Sequence, residues 1–316
     1  FHTFRRLISL QHIGLRRMLG DIGHNTRIRV ENDTEENMMT PTETYAAYFD
    51  GVQAQNARIY GPQEGGDVWA GAAARQFRFD PRRELDRNLA VIASYVRPGD
   101  FLVDVGGGAG RVCLPLALQC KEVLNIEPSP GMGAEYESLA KEAGITNASL
   151  VAASLAEAQT QIGDIAFTAD VTYFVRDIAE FIRQLEAAAS RRVMISIWSY
   201  PPPNRRGKLF ELVYGEEQEV LPGQAQLLPV LWDMGILPDV QVLPELPWWE
   251  NERPLTKEEA VKMIVEDRVV KLVDRGRAQT LFETRFDELF TPSSEGFMPR
   301  WRLDMRELLI TWEIGA

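Results

Sequence analysis

An apolar run that ends in an acid and then in four glycines within five residues constrains this chain more than any other feature. Pro98-Gly99-Asp100 leads into Phe101-Leu102-Val103-Asp104-Val105, and Gly106-Gly107-Gly108-Ala109-Gly110-Arg111 follows at once. A short continuous apolar stretch is the pattern of a parallel strand covered on both faces. Glycines at its C-terminal end let the backbone turn tightly and approach a ligand with no Cβ in the way. Seventeen residues past Gly110, a second apolar run, Val123-Leu124-Asn125-Ile126, ends in Glu127-Pro128. A helix expected over 109–119 would offer free N–H groups to a polar ligand group. Glu127, at the tip of the second strand, is placed to accept both hydroxyls of a ribose. In open α/β sheets ligands bind at these carboxyl ends, so the pattern points to a nucleotide-bearing cofactor.

Two cofactors compete for this geometry. The dinucleotide fingerprint requires G-x-G-x-x-G. Counted from Gly106 the sixth position is Arg111, and counted from Gly107 the third is Ala109, so both registers fail. An NAD-dependent oxidoreductase is therefore disfavoured. The run Asp104-x-Gly106-x-Gly108-x-Gly110 instead resembles the acid-initiated glycine motif of class I S-adenosylmethionine-dependent methyltransferases. That resemblance covers about 98–200 and implies S-adenosylmethionine as cofactor. It implies that Asp104 helps orient the methionine end and that Glu127 holds the ribose. Gly106, Gly107, Gly108, Gly110 and Pro128 complete this part of the cofactor set. The family often has an Asp after its third strand to accept from the adenine amino group. Here that stretch reads Ala153-Ser154-Leu155-Ala156-Glu157, which leaves Ser154 or a backbone carbonyl, beside Leu155, for that role. Ala169 and Asp170 are the expected contacts from the fourth strand.

The remaining pattern supports an α/β fold: a doubly wound, Rossmann-like, mostly parallel seven-stranded sheet with an antiparallel last strand. The expected elements are a helix over 131–142, strands over 147–153, 165–171 and 193–198, and an amphipathic helix bearing Ile178, Phe181, Ile182 and Leu185. Residues 38–97 read as an N-terminal helical cap, with Tyr45, Tyr48, Phe49 and Val52 as one apolar face. Similar methyltransferases fold such a segment over the cofactor, which makes Tyr60, Trp69 and Arg75 candidates for contact. Residues 98–200 form the cofactor core, and 201–316 supply the rest of the sheet with a helical lid. In that last region Leu209, Leu212 and Val213 mark one helix and 222–234 another, and 239–243 is a sixth strand. Thr256-x-x-Glu259 is a capping box opening a helix with Val261, Ile264, Val265 and Leu272 inward. Leu281, Phe282, Phe286 and Leu289 continue the insert, and alternating Leu308, Ile310, Trp312 and Ile314 mark the closing strand. Trp232, Trp248, Trp249 and Trp301 are expected around the acceptor pocket.

Composition narrows the partners. A net charge of −12 disfavours binding to a phosphate backbone, and no run of eighteen apolar residues exists to span a membrane. The expected partner is a small-molecule acceptor, without nucleic acid or membrane. Cys113 and Cys120 fall seven apart on the expected helix, about 10 Å at ~1.5 Å per residue, too far for a disulfide. They read as packing residues of a cytoplasmic protein. Two cysteines without a core histidine supply no zinc set, and Asp170 with Asp177 lacks the Asn of a catechol-type magnesium site. No metal is expected. Residues 1–37 carry six Arg, no Lys, five acids and all three histidines (His2, His12 and His24). They read as an organellar presequence or as sequence upstream of a start at Met38 or Met39; the second is preferred, and no chemistry is expected there.

The expected function is methyl transfer to an O, N or C atom of a small molecule, with a non-catalytic cofactor-binding subunit as the alternative. Asp170, with Tyr173 nearby, is the expected catalytic pair for an acceptor that must lose a proton. Tyr200, Glu211 and Tyr214 are weaker candidates.

Overall fold

The computed structural model describes residues 39–62, 66–158, 161–247, 253–301 and 304–315. The reading of residues 1–37, and those of Trp248 and Trp249, lie outside the described residues. Five parallel strands, β1 (Phe101–Val105), β2 (Glu122–Ile126), β3 (Ala148–Val151), β4 (Gly163–Ala169) and β5 (Ala189–Trp198), form one side of the main sheet. β6 (Asp239–Val242) and β9 (Glu307–Glu313) complete it in the order β3-β2-β1-β4-β5-β9-β6, with β9 antiparallel to both neighbours. The strand order reverses between β1 and β4, so the ends of β1, β2 and β4 meet at the switch point, where open sheets bind ligands.

Burial on both faces explains the continuous apolar runs. Val103, Val105 and Ile126 face one layer, with α1 (Pro41–Tyr60), α6 (Ile178–Ala187) and α8 (Gln224–Asp233). Leu102, Val123 and Ile165 face the other, with α2 (Ala72–Arg75), α3 (Arg87–Ala93), α4 (Cys113–Ala117) and α5 (Pro130–Glu142). A third apolar cluster joins α7 (Gly207–Tyr214), α9 (Lys257–Val265), α10 (Arg275–Thr284) and α11 (Phe286–Leu289) to a hairpin of β7 (Phe290–Ser293) and β8 (Gly296–Pro299). This is the expected insert before the last strand, and Thr256 forms its capping box with Glu259. Among the described residues, no helix is long and apolar enough to cross a membrane.

Several local expectations need correction. The helix expected over 109–119 is only Cys113–Ala117. Gly110 at φ 85° postpones its start, and Pro115 has no N–H for the carbonyl of Arg111. That carbonyl accepts from Arg83 Nη2 instead, at 2.9 Å. β4 ends at Ala169 rather than 171, and β5 begins four residues before Val193, at Ala189. On α1 the buried face is Tyr45, Val52 and Gln55, while Tyr48 is exposed. The stretch from Gly66 to Asp86 is mostly turn around the four-residue α2, because Gly71 holds a positive φ and Pro81 interrupts it. Leu272 lies in a 3-10 turn and is exposed rather than inward. The β7–β8 hairpin was not expected: each strand has four residues and one proline, which weakens a strand pattern.

The N-terminal helix is tied to the turn after the central strand β4 by one buried bond, Tyr45 Oη donating to the Thr172 carbonyl at 2.7 Å. Tyr45→Phe removes that donor while keeping the ring, and is expected to lower unfolding free energy by about 1 kcal/mol in urea titration.

Candidate active site

The glycine loop leaves β1 at Gly106 and is gripped by a residue of β2. Asn125 is fully buried at the penultimate position of that strand. Its Oδ1 accepts the Gly107 N–H at 3.1 Å, and its Nδ2 donates to the Gly108 carbonyl at 3.0 Å. The approach is close: a Cβ on Gly107 would lie 2.6 Å from Asn125 Oδ1 and would also strike the Asp104 carboxylate. Gly108 sits at φ 57°, a conformation that favours glycine.

Glu127 is the next link. Its Oε2 accepts the Gly108 N–H at 2.9 Å and its Oε1 the Ser129 N–H at 2.7 Å. Burial raises its pKa, those two N–H groups oppose the rise, and the Asp67 carboxylate adds to it. A carboxylate offers about four acceptor sites, so two remain for hydroxyl groups. Asp104 lies under the loop with both oxygens buried and without hydrogen-bond partners. Burial pushes its carboxyl up to about 7; the Cys113 thiol and Arg111 oppose this, and Glu127 adds to it.

Asp170 is the first residue after β4 and takes φ 61°, alone among the described non-glycine residues. Such conformations cost about 1–3 kcal/mol and concentrate at functional sites. Its N–H donates to the Ser196 carbonyl at 3.1 Å. Its Oδ2 lies 3.5 Å from Arg111 Nη2, while Oδ1 is buried and unpartnered; the side chain as a whole keeps 35% exposure. Burial and Glu307 push its pKa up to about 6 against Arg111, Trp198 and Tyr173. Tyr173 is buried, and its oxygen accepts the Trp198 N–H at 2.6 Å, so it joins the tips of β4 and β5.

The other expected residues divide. Pro128 is exposed beside Glu127, and Ala169 ends β4. Ser154 Oγ donates to Glu157 Oε2 at 2.7 Å, and Leu155 packs on the core. Trp69 reaches the site, edge-on to Phe174 at 6.4 Å. Tyr60 and Tyr214 do not: both donate to the Val269 carbonyl inside the insert, and Glu211 pairs with Lys208. Arg75 is exposed and Tyr200 half-buried. Trp301 packs on Phe290, while Trp232 is exposed. Sequence reasoning missed Asn125, Ser129, Asp67 and Glu307. Asn125 carried a signal, a polar residue inside an apolar strand; the partners of the others are remote in sequence. Glu307 is buried between Ser196 Oγ and Asn88 Nδ2, 111 and 219 residues away.

The raised carboxyls of Asp104, Asp170 and Glu127 make stability fall as pH rises. Between about 4 and 7 the unfolded chain binds fewer protons than the folded one, so each ionisation favours unfolding. Asp170 contributes up to about 6 and Asp104 on to about 7. Melting temperature measured against pH is therefore expected to fall over this range, and Asp104→Asn to flatten its upper part.

Residues 103–192 match the family described as a methyltransferase domain. The comparison with curated proteins found no match. Similar solved structures include YcgJ from Bacillus subtilis, 14% identical over 72% of this chain and 97% of that one, with a TM-score of 0.48. Magnesium protoporphyrin IX methyltransferase from Synechocystis PCC 6803, with bound SAM, is 17% identical over 66% and 93%, with a TM-score of 0.40. A cyclopropane-fatty-acyl-phospholipid synthase-like protein from Lactobacillus casei ATCC 334 is 18% identical over 77% and 94%, with a TM-score of 0.46. The matched segment runs from β1 into β5 and contains the glycine loop with Asp104 and Glu127, so the methyltransferase-domain match falls on the part of the chain that carries the candidate site.

Proposed function

We propose that this protein transfers the methyl group of S-adenosylmethionine to an oxygen, nitrogen or carbon atom of a small molecule. The observation that carries the reading is the Gly108 N–H on the Glu127 carboxylate, which fixes an acid with spare acceptor capacity at the rim of the glycine loop. The residues present fit the cofactor. Glu127 has sites for the two ribose hydroxyls, and the close-approach loop leaves room for backbone contact. Asp104 lies below that loop with no partner of its own. A net charge of −12 favours a small acceptor over a nucleic acid, and two free buried cysteines suit a cytoplasmic setting.

When bound, S-adenosylmethionine supplies a methyl group already made electrophilic by its sulfonium. The chain then needs to align an acceptor, exclude water and, for a protonated acceptor, hold the released proton. Asp170 is the group for that last task. Its pKa of about 6 leaves it ionised at neutral pH, and Oδ1 has no other partner. Arg111 steadies the charge, and Tyr173 holds the turn that aims it.

Calorimetric titration with S-adenosylmethionine, S-adenosylhomocysteine and NADH tests the cofactor. Saturable binding of the two adenosyl compounds is expected, weakened at least about tenfold by Glu127→Ala, which removes charge-accepted hydrogen bonds of about 1.5–3 kcal/mol. Binding of NADH alone would overturn the reading. In an acceptor screen, Asp170→Asn is expected to cut turnover by about 100-fold or more with cofactor affinity nearly unchanged. Unchanged turnover would remove Asp170 as the base.

A further inference from the structure

We infer that Asp67 is a positioning residue for the cofactor: it latches residues 66–71 across the mouth of the glycine loop and, through Ser129, couples that closed strap to Glu127. This rests on the methyltransferase reading above and adds a residue and a role to it.

Asp67 is held by groups on two elements. Its carboxylate accepts Ser129 Oγ at 2.9 Å and the Gly131 N–H at 2.8 Å, both at the start of α5. It also accepts the Trp69 N–H within its own strap, at 3.0 Å. Ser129 is the shared part. Its N–H donates to Glu127, its hydroxyl donates to Asp67, and the same hydroxyl caps α5 by accepting from Met132. A change at the strap therefore reaches the ribose-side acid through one residue. Gly131 permits the contact: a Cβ there would lie 2.7 Å from the Ala70 Cα and 2.9 Å from Asp67 Oδ2.

The strap also reaches the opposite side of the loop. Trp69 packs edge-on against Phe77 at 5.9 Å and against Phe174 at 6.4 Å. Phe174 stands in the 3-10 turn after Asp170 and is 48% exposed. Ser129 and Gly131 follow β2, Phe174 follows β4, and these strands flank β1 in the sheet. A nucleoside seated on the glycine loop is thus bracketed by the strap. Strap opening governs its departure, as lid motion does in enzymes limited by product release.

The test is stopped-flow dissociation of S-adenosylhomocysteine from the full chain. Asp67→Asn keeps the shape but removes the charge. It is expected to raise the dissociation rate about tenfold, with association changed less than about threefold. Gly131→Ala pushes the strap away without altering a carboxylate and is expected to act the same way. Asp67→Asn combined with Ser129→Ala should be no faster than the faster single variant, because both break one coupling. Asp67→Glu should restore part of the effect. In the ligand-free chain, hydrogen exchange at the Trp69 and Gly131 amides is expected to quicken in Asp67→Asn, with the β1 amides unchanged. Equal dissociation rates in wild type, Asp67→Asn and Gly131→Ala would overturn the latch and leave the methyltransferase reading standing. A wild-type chain that binds no adenosyl compound would overturn both.

Discussion

The grip of Asn125 on the glycine loop is the interaction on which the rest of the site depends. One buried carboxamide takes an N–H from Gly107 and returns a donor to the Gly108 carbonyl. Those bonds turn the loop so that the next free N–H, on Gly108, points at Glu127. A side chain on Gly107 would collide with the carboxamide and with Asp104 together. Loop, amide and acid therefore form one unit, and its parts come from the ends of adjacent parallel strands. The register β1 to β2, with Asp104 opposite Asn125, makes this possible.

Around that unit the protein tolerates charge where burial opposes it. Asp104 and Asp170 sit in surroundings that favour the neutral acid, and Glu307 is buried nearby between Asn88 and Ser196. An isolated buried carboxylate is costly unless donors surround it. Glu307 has its donors, whereas both oxygens of Asp104 and one of Asp170 lack them. The same contrast separates an acid whose hydrogen bonds are satisfied within the fold from two whose buried oxygens are not. The left-handed conformation of Asp170 fits this division, since the turn aims a side chain that ordinary strand geometry would place on a sheet face.

Much of the core was legible because its signals are local. The runs at 101–105 and 123–126 carry apolar side chains on both faces, and the sheet does bury both. The spacing of Ile178, Phe181, Ile182 and Leu185 places four side chains on one helical face, and all four are buried. Where local signals were weak, the reading slipped. The four-residue strands of the hairpin carry prolines, and Leu272 follows a helical spacing that a 3-10 turn interrupts. The early start expected for the loop helix failed because Gly110 favours a turn and Pro115 leaves a carbonyl to Arg83, a partner 28 residues away.

By itself the sequence determined the alternation of strand and helix, the glycine loop and the acids Asp104 and Glu127 at strand ends, because each depends on neighbours a few residues apart. Tertiary structure alone decided which remote groups meet there. Asp67 reaches Ser129 across 62 residues, Arg111 reaches Asp170 across 59, and Glu307 reaches Ser196 across 111. A carboxylate's chemistry is set by the donors and charges within a few ångströms, and chain order does not encode those distances. The sequence could therefore place the acids, but only folding determined which are hydrogen-bonded, which are paired with a cation and which keep buried oxygens without a partner.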